Sequence, residues 1–228
     1  MPLQLVMLLF PRMQQLDLTG PFDVFARFSD ALDIHLAAKD LAPVTDANGL
    51  RVLPTVAFDD CPQADILFAP GGAGQLAAMD DAQTIDFLRR QGLSARYVTS
   101  VCTGSLLLAA AGLLTGYRAT SHWLSIEQLA HFGAEPVAER VVVDRNRVTG
   151  AGVTAGIDFA LTLAALLFGE ERAKLTQLAM EYDPAPPFAS GSPALAEPRL
   201  VAHVREATKT FQEQREAAAI RAAARRFG

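Results

Sequence analysis

The stretch "YVTSVCTGSLLLAAAGLL", residues 97–114, decides the fold. Tyr97, Val98, Thr99 and Val101 are strand-favouring residues, and their run is the length of a buried strand. From Thr103 onward the residues are small or leucine, which suits a helix. The switch falls on Cys102, with Ser100 and Gly104 giving it little bulk on either side. Open α/β sheets bind ligands outside the carboxyl ends of their strands, and a sharp strand–nucleophile–helix turn exposes its side chain there. S-x-C-x-G therefore reads as a nucleophile turn. A helix starting at Thr103 aims free N–H groups at the sulfur, which predicts a lowered thiol pKa. A small core hydrophobe is the competing reading, because free cysteine is among the most buried residue types.

Outward from this turn, buried strands alternate with helices. "QLVMLLF" is a continuous apolar run suited to a parallel strand covered on both faces. "DLTGPFDVFARF" reads as a helix with Asp17 or Thr19 as its cap and Pro21 in its first turn. "DIHLAAK" is a second strand, and Asn48-Gly49 in "DANGLRVLP" is a hairpin signal. "ADILFAPGGAG" is a strand that breaks into glycines, and "DDAQTIDFLRRQG" is an amphipathic helix. "ERVVVDRNRVTGAG" is a hairpin around Asp144–Asn146, and "TAGIDFALTLAALLF" is a buried helix. After the Pro-rich loop "EYDPAPPFASGSP", residues from about 198 to 227 form a C-terminal helix. The pattern predicts an α/β fold: a doubly wound, mostly parallel sheet flanked by helices. With no repeat and no linker, residues 1–228 read as a single domain.

Two further features join the thiol. Pro70-Gly71-Gly72 ends a second buried strand, where glycines let backbone N–H groups approach a ligand; a tight turn alone is the plainer account. Asp17 lies just beyond the first strand, where a carboxylate can exchange protons with the thiol. Local sequence equally supports Asp17 as a helix cap. Cys61 precedes Pro62 in a loop and carries no such signal. His35, His122, His131 and His203 match no zinc spacing with the cysteines, so no metal or cofactor is implied; His122 in "ATSHW" fits a pocket or a plain loop.

The chain has 228 residues, half of them hydrophobic, and a net charge of −5, which argues against nucleic acid as the main partner. Its two cysteines indicate no disulfide framework and fit a reducing cytoplasm. "MPLQLVMLLFPRM" lacks a basic n-region and a cleavage site, and "LLLAAAGLL" and "FALTLAALLF" fall short of a membrane span. No membrane association is expected.

The stretches "QQLDLTGPFDV", "PGGAG", "YVTSVCTGSLLLAAAGLL", "ATSHW", "VTGAGVTAGIDFALTLAA" and "EYDPAPPF" resemble the ThiJ/PfpI superfamily, which shares its flavodoxin-like fold with class I glutamine amidotransferases. Within it they are most similar to the isocyanide hydratases. The resemblance implies a lyase that hydrates isocyanides to N-substituted formamides through a thioimidate on cysteine, acting as a homodimer. It places Cys102 as the nucleophile, Asp17 as its acidic partner, and Gly72 and Thr103 as the residues whose N–H groups face the reacting centre. Gly71, Phe22, Trp123 and Val153 lie near the matched motifs as substrate-lining candidates, with core packing the plainer account of each and the stronger one for Phe25. Thr103 stands where PfpI-type peptidases carry histidine, which speaks against a peptidase. The chain departs from the hydratases in one place, with Gly150-Ala151-Gly152 in place of an unbroken glycine run. Glyoxalase or deglycase-like chemistry, a redox sensor and the ligand-sensing half of an AraC-type regulator are the alternatives. For the last, only some 30 residues follow the Pro-rich loop. Their basic helix reads as a solvated face, not a DNA-binding domain.

Overall fold

The computed structural model describes residues 1–227. The elements run β1 (Leu3–Leu8), α1 (Gln15–Phe25), β2 (Leu32–Ala38), a small hairpin of β3 (Val44–Thr45) and β4 (Arg51–Val52), β5 (Val56–Ala57) and β6 (Ile66–Ala69). They continue with α2 (Gln75–Asp80), α3 (Ala82–Ser94), β7 (Tyr97–Val101), α4 (Gly104–Ala110), β8 (Arg118–Ala119) and β9 (Glu135–Pro136). Last come β10 (Val141–Asp144), β11 (Arg147–Gly150), α5 (Ala155–Phe168), α6 (Glu170–Ala179) and α7 (Pro198–Phe227).

Seven strands form one sheet in the order β10-β11-β7-β6-β1-β2-β5, parallel except for the β10–β11 hairpin. The apolar runs explain the centre. Every residue of β6, and Leu5–Leu8 of β1, is buried, as strands covered on both faces must be. One helix group, α1, α5 and α6, packs together, and a second, α2, α3, α4 and α7, packs together; the two groups flank the sheet. Phe25 of α1 is wholly buried and meets Phe159 of α5 edge to face at 6.3 Å, so this ring belongs to the core.

The chain leaves β1 in one direction to β2 and β5, then returns to the other side of β1 for β6, β7 and β11. The carboxyl ends of β1 and β6 thus border the point where the winding reverses, the crevice in which such sheets bind ligands. The loops after β1, β6, β7 and β11, four neighbouring strands, converge there.

One local expectation changes, two helices are added, and one expected turn is found. Helix α1 starts at Gln15, so Asp17 sits inside its first turn and does not cap it; the preceding residue, Gln14, makes no side-chain capping bond. Burial of the carboxyl against the β6 loop outweighs the local capping preference. The short helices α2 and α6 follow Gly74 and Gly169 and had no sequence assignment. Asn48-Gly49 does form a turn, with Gly49 at φ +99° and Asp46 Oδ1 accepting from the N–H groups of Asn48 and Leu50.

Candidate active site

Cys102 directly follows β7 with φ +56°, a left-handed conformation that costs a non-glycine residue roughly 1–3 kcal/mol. Its backbone is held on both sides. The N–H donates to Gly150 O (3.0 Å), the last residue of β11, and to Ala151 O (2.9 Å) just beyond it. The carbonyl accepts from the hydroxyls of Ser105 and Ser121, each at 3.1 Å. Four bonds therefore fix the backbone of the turn. The sulfur is nevertheless enclosed, with the residue 6% exposed.

Asp17 is 0% exposed. Its Oδ2 accepts from the Gly71 N–H at 3.0 Å, and its carboxyl faces the Cys102 thiol. Oδ1 is buried without an N–H or O–H partner. An orphaned carboxylate oxygen is costly in a dry site unless it holds a proton. Accordingly burial raises the Asp17 pKa to about 7, against smaller downward pulls from Cys102 and the Gly71 N–H.

Gly71 is required by close approach. A Cβ there would lie 2.5 Å from Thr103 N and 2.9 Å from Asp17 Oδ2. Gly72 has φ +129° and donates its N–H to Thr103 Oγ1 at 3.1 Å. The backbone N–H groups that act on the sulfur are those of Thr103 and Val153. Val153 itself sits at φ +29°, a strained value for a β-branched residue. Phe22 lies on the outer side of α1 at 36% exposure, and Trp123 is half-buried, with the Arg205 guanidinium 5.3 Å from its ring centre.

The thiol's acidity departs from expectation. Burial, and next the charge of Asp17, push the Cys102 pKa up; the Thr103 and Val153 N–H groups pull it down by less. Helix α4 is only seven residues long, and its N-terminus does not offset a desolvated sulfur beside a carboxylate. The two titrations are coupled: burial keeps the proton on Asp17 up to about pH 7 and holds the Cys102 thiol well above its ordinary range.

The DJ-1/PfpI family model matches residues 4–166, a span that contains every residue of this turn and its acidic partner. The chain belongs to the DJ-1/PfpI family. Isonitrile hydratase of Pseudomonas putida is 57% identical over 206 residues, covering 90% of this chain and 90% of that protein. The HTH-type transcriptional regulator CdhR of Pseudomonas aeruginosa is 35% identical over 156 residues, 67% of this chain and 46% of the regulator. A solved ThiJ/PfpI family protein from Pseudomonas syringae superimposes with a TM-score of 0.93 at 47% identity, over 96% of this chain and 91% of that one. These DJ-1/PfpI relatives bear out the mostly parallel sheet flanked by helices.

Two residues of the site had no expected role. Ser105 and Ser121 anchor the Cys102 carbonyl, and Ser121 lies in the "ATSHW" stretch that marked the resemblance. His122 packs against Gly152, where a Cβ would lie 2.7 Å from its Cδ2. Its Nδ1 accepts from the Leu124 N–H at 3.3 Å, so the neutral ring carries its proton on Nε2. Cys61 is partly buried, and burial raises its pKa to about 11.

Proposed function

We propose that this chain is a lyase that hydrates isocyanides to N-substituted formamides, with Cys102 as nucleophile and Asp17 as proton carrier. One observation carries the reading. The buried carboxyl whose pKa stands near 7 faces the thiol, in a chain 57% identical to an isonitrile hydratase over nine-tenths of its length.

The terminal carbon of R–N≡C is both electrophilic and carbene-like. Attack by the Cys102 sulfur forms the C–S bond, and Asp17 takes the thiol proton and delivers it to that carbon. The product is a thioimidate, S–CH=N–R. Asp17, now ionised, accepts a proton from water as the water oxygen adds to the same carbon, and passes it to the nitrogen, which becomes N–H. Collapse of the adduct breaks the C–S bond and releases the formamide, and the adduct's hydroxyl proton returns to the Asp17–Cys102 pair. Thr103 and Val153 N–H groups hold the sulfur's charge when it leaves. Gly72 keeps the Thr103 hydroxyl in place, and Gly71 admits the carboxyl to the turn. Phe22, Trp123 and Val153 line the approach for an apolar R group. No step calls for a metal or organic cofactor, and placed proton transfers of this kind each contribute about 10²–10⁴-fold in rate.

We further propose that residues 1–228 form one domain working as a homodimer in a reducing cytoplasm. Exposed Leu175 and Leu178 on α6, and Phe188 and Leu195 in the loop before α7, support the dimer; α7 returns to touch the site's own loops. Both cysteines are free, and no described helix is long and apolar enough to cross a membrane.

Purified protein incubated with para-nitrophenyl isocyanide should release the formamide, and Cys102→Ala should release none. Turnover of methylglyoxal with no formamide formed would replace this reading with glyoxalase chemistry.

A further inference from the structure

Arg215, in the second half of α7, is 5% exposed. A buried guanidinium ordinarily needs a carboxylate, because an uncompensated charge in a dry interior costs several kcal/mol. Arg215 has none among the described residues. Its Nε donates to Gln75 Oε1 (3.1 Å), and one Nη donates to Ser125 Oγ (2.9 Å) and to Gln212 Oε1 (3.2 Å). The guanidinium also stands 4.5 Å over the Phe211 ring. Every one of these partners is neutral. Glu216, the next residue along α7, is spent on His131.

The partners lead to the nucleophile from two sides. Gln75 opens α2, four residues after the Gly71 that binds Asp17. Ser125 donates its N–H to the His122 carbonyl at 2.8 Å, and the His122 ring rests on Gly152, next to the Val153 whose N–H acts on the sulfur. Arg215 therefore joins the loop after β6 to the loop that backs the β11 end. Each loop also brings a backbone N–H to the Asp17–Cys102 pair, Gly71 to the carboxyl and Val153 to the sulfur. Above about pH 7 the Asp17–Cys102 pair is itself a buried negative charge.

We propose that Arg215 is a positioning residue for the reaction: its unpaired positive charge, delivered from the C-terminal helix, compensates the negative charge of the Asp17–Cys102 pair and favours the ionised sulfur. The sulfur's charge raises the Arg215 pKa, against the larger lowering by burial, and interaction between two groups is reciprocal. The titratable groups on the elements packed there are Arg215 from α7, which feels the sulfur's charge, and His122 from the loop before Ser125, which feels Arg215. Burial, and next Arg215, lower the His122 pKa to about 4, so His122 is neutral at working pH and Arg215 carries the charge.

The inference rests on Cys102 being the nucleophile, and its test needs no isocyanide. The rate of Cys102 alkylation by iodoacetamide is followed from pH 6 to 10 by peptide mass spectrometry on the whole protein. Arg215→Gln should move the profile up by roughly half to one pH unit, a three- to tenfold slower reaction at pH 7. Arg215→Lys should restore most of the rate. Gln75→Glu, which neutralises Arg215 without removing it, should shift the profile in the same direction and decides the matter if Arg215→Gln fails to fold. Folded variants whose profiles stay within 0.2 pH unit of the wild type overturn the proposal and leave Arg215 as a structural strut. Absence of isocyanide turnover in the wild type, with the alkylation shift intact, would count against the substrate and not against Arg215.

Discussion

Asp17→Asn separates the electrostatic cost of the site from its chemistry. The carboxyl has an ordinary value of 3.8 and stands at about 7 in the folded chain, because burial penalises its ionised form. At about 1.36 kcal/mol per pH unit, the difference corresponds to about 4 kcal/mol. The sign follows from proton counting. Between pH ~4 and ~7 the unfolded chain has released the proton that the folded chain still holds, so stability falls as pH rises through that window. Below pH ~4 the carboxyl contributes no penalty, and above ~7 the full penalty is present. Asparagine keeps an oxygen to accept the Gly71 N–H and cannot ionise. Its stability relative to wild type should thus be near zero at pH 4 and climb to as much as 4 kcal/mol by pH 8. Urea unfolding of both proteins at pH 5, 6, 7 and 8 measures the difference directly. A difference that stays flat within about 0.5 kcal/mol, or that falls with pH, refutes the desolvated carboxyl. In the Cys102→Ala background the window should move upward, because the thiol's hydrogen bond pulls the Asp17 pKa down.

The same variant should lose about 10²-fold or more in hydration rate while remaining folded, read by formamide release and circular dichroism. Wild-type kcat/KM for an isocyanide should rise with pH through about 7, as the pair loses its first proton, and Asp17→Asn should abolish that limb. Gly71→Ala forces a methyl to within 2.5 Å of Thr103 N and should cost about 1–3 kcal/mol in thermal or urea unfolding and most of the activity. Ser121→Ala should destabilise by about 1 kcal/mol, since Ser105 still binds the Cys102 carbonyl; removing both hydroxyls should cost more than the sum in a double-mutant cycle.

Periodicity and turn chemistry made the parallel sheet legible, since β1, β6 and β7 are apolar runs of strand length that end in turn signals. They also marked Cys102, because a strand that passes into a helix without a loop leaves its junction residue at the sheet's carboxyl edge. Asp17 was legible as a candidate and ambiguous as to role: a carboxylate early in a helix satisfies a cap locally, and only the β6 loop packed against it turns it toward the sulfur. The sequence could not show the thiol's acidity. The helix N-terminus is a local feature that lowers a pKa, whereas burial and the neighbouring Asp17 charge arise from segments 85 positions apart. Arg215 was invisible for the same reason, because it sits in a charged, alanine-rich helix with a solvated appearance. Alternation and punctuation are written in neighbouring residues and determine which strands and turns form. Solvation and charge compensation depend on what the folded chain brings alongside, so the tertiary structure alone decided that a desolvated carboxyl faces a desolvated thiol.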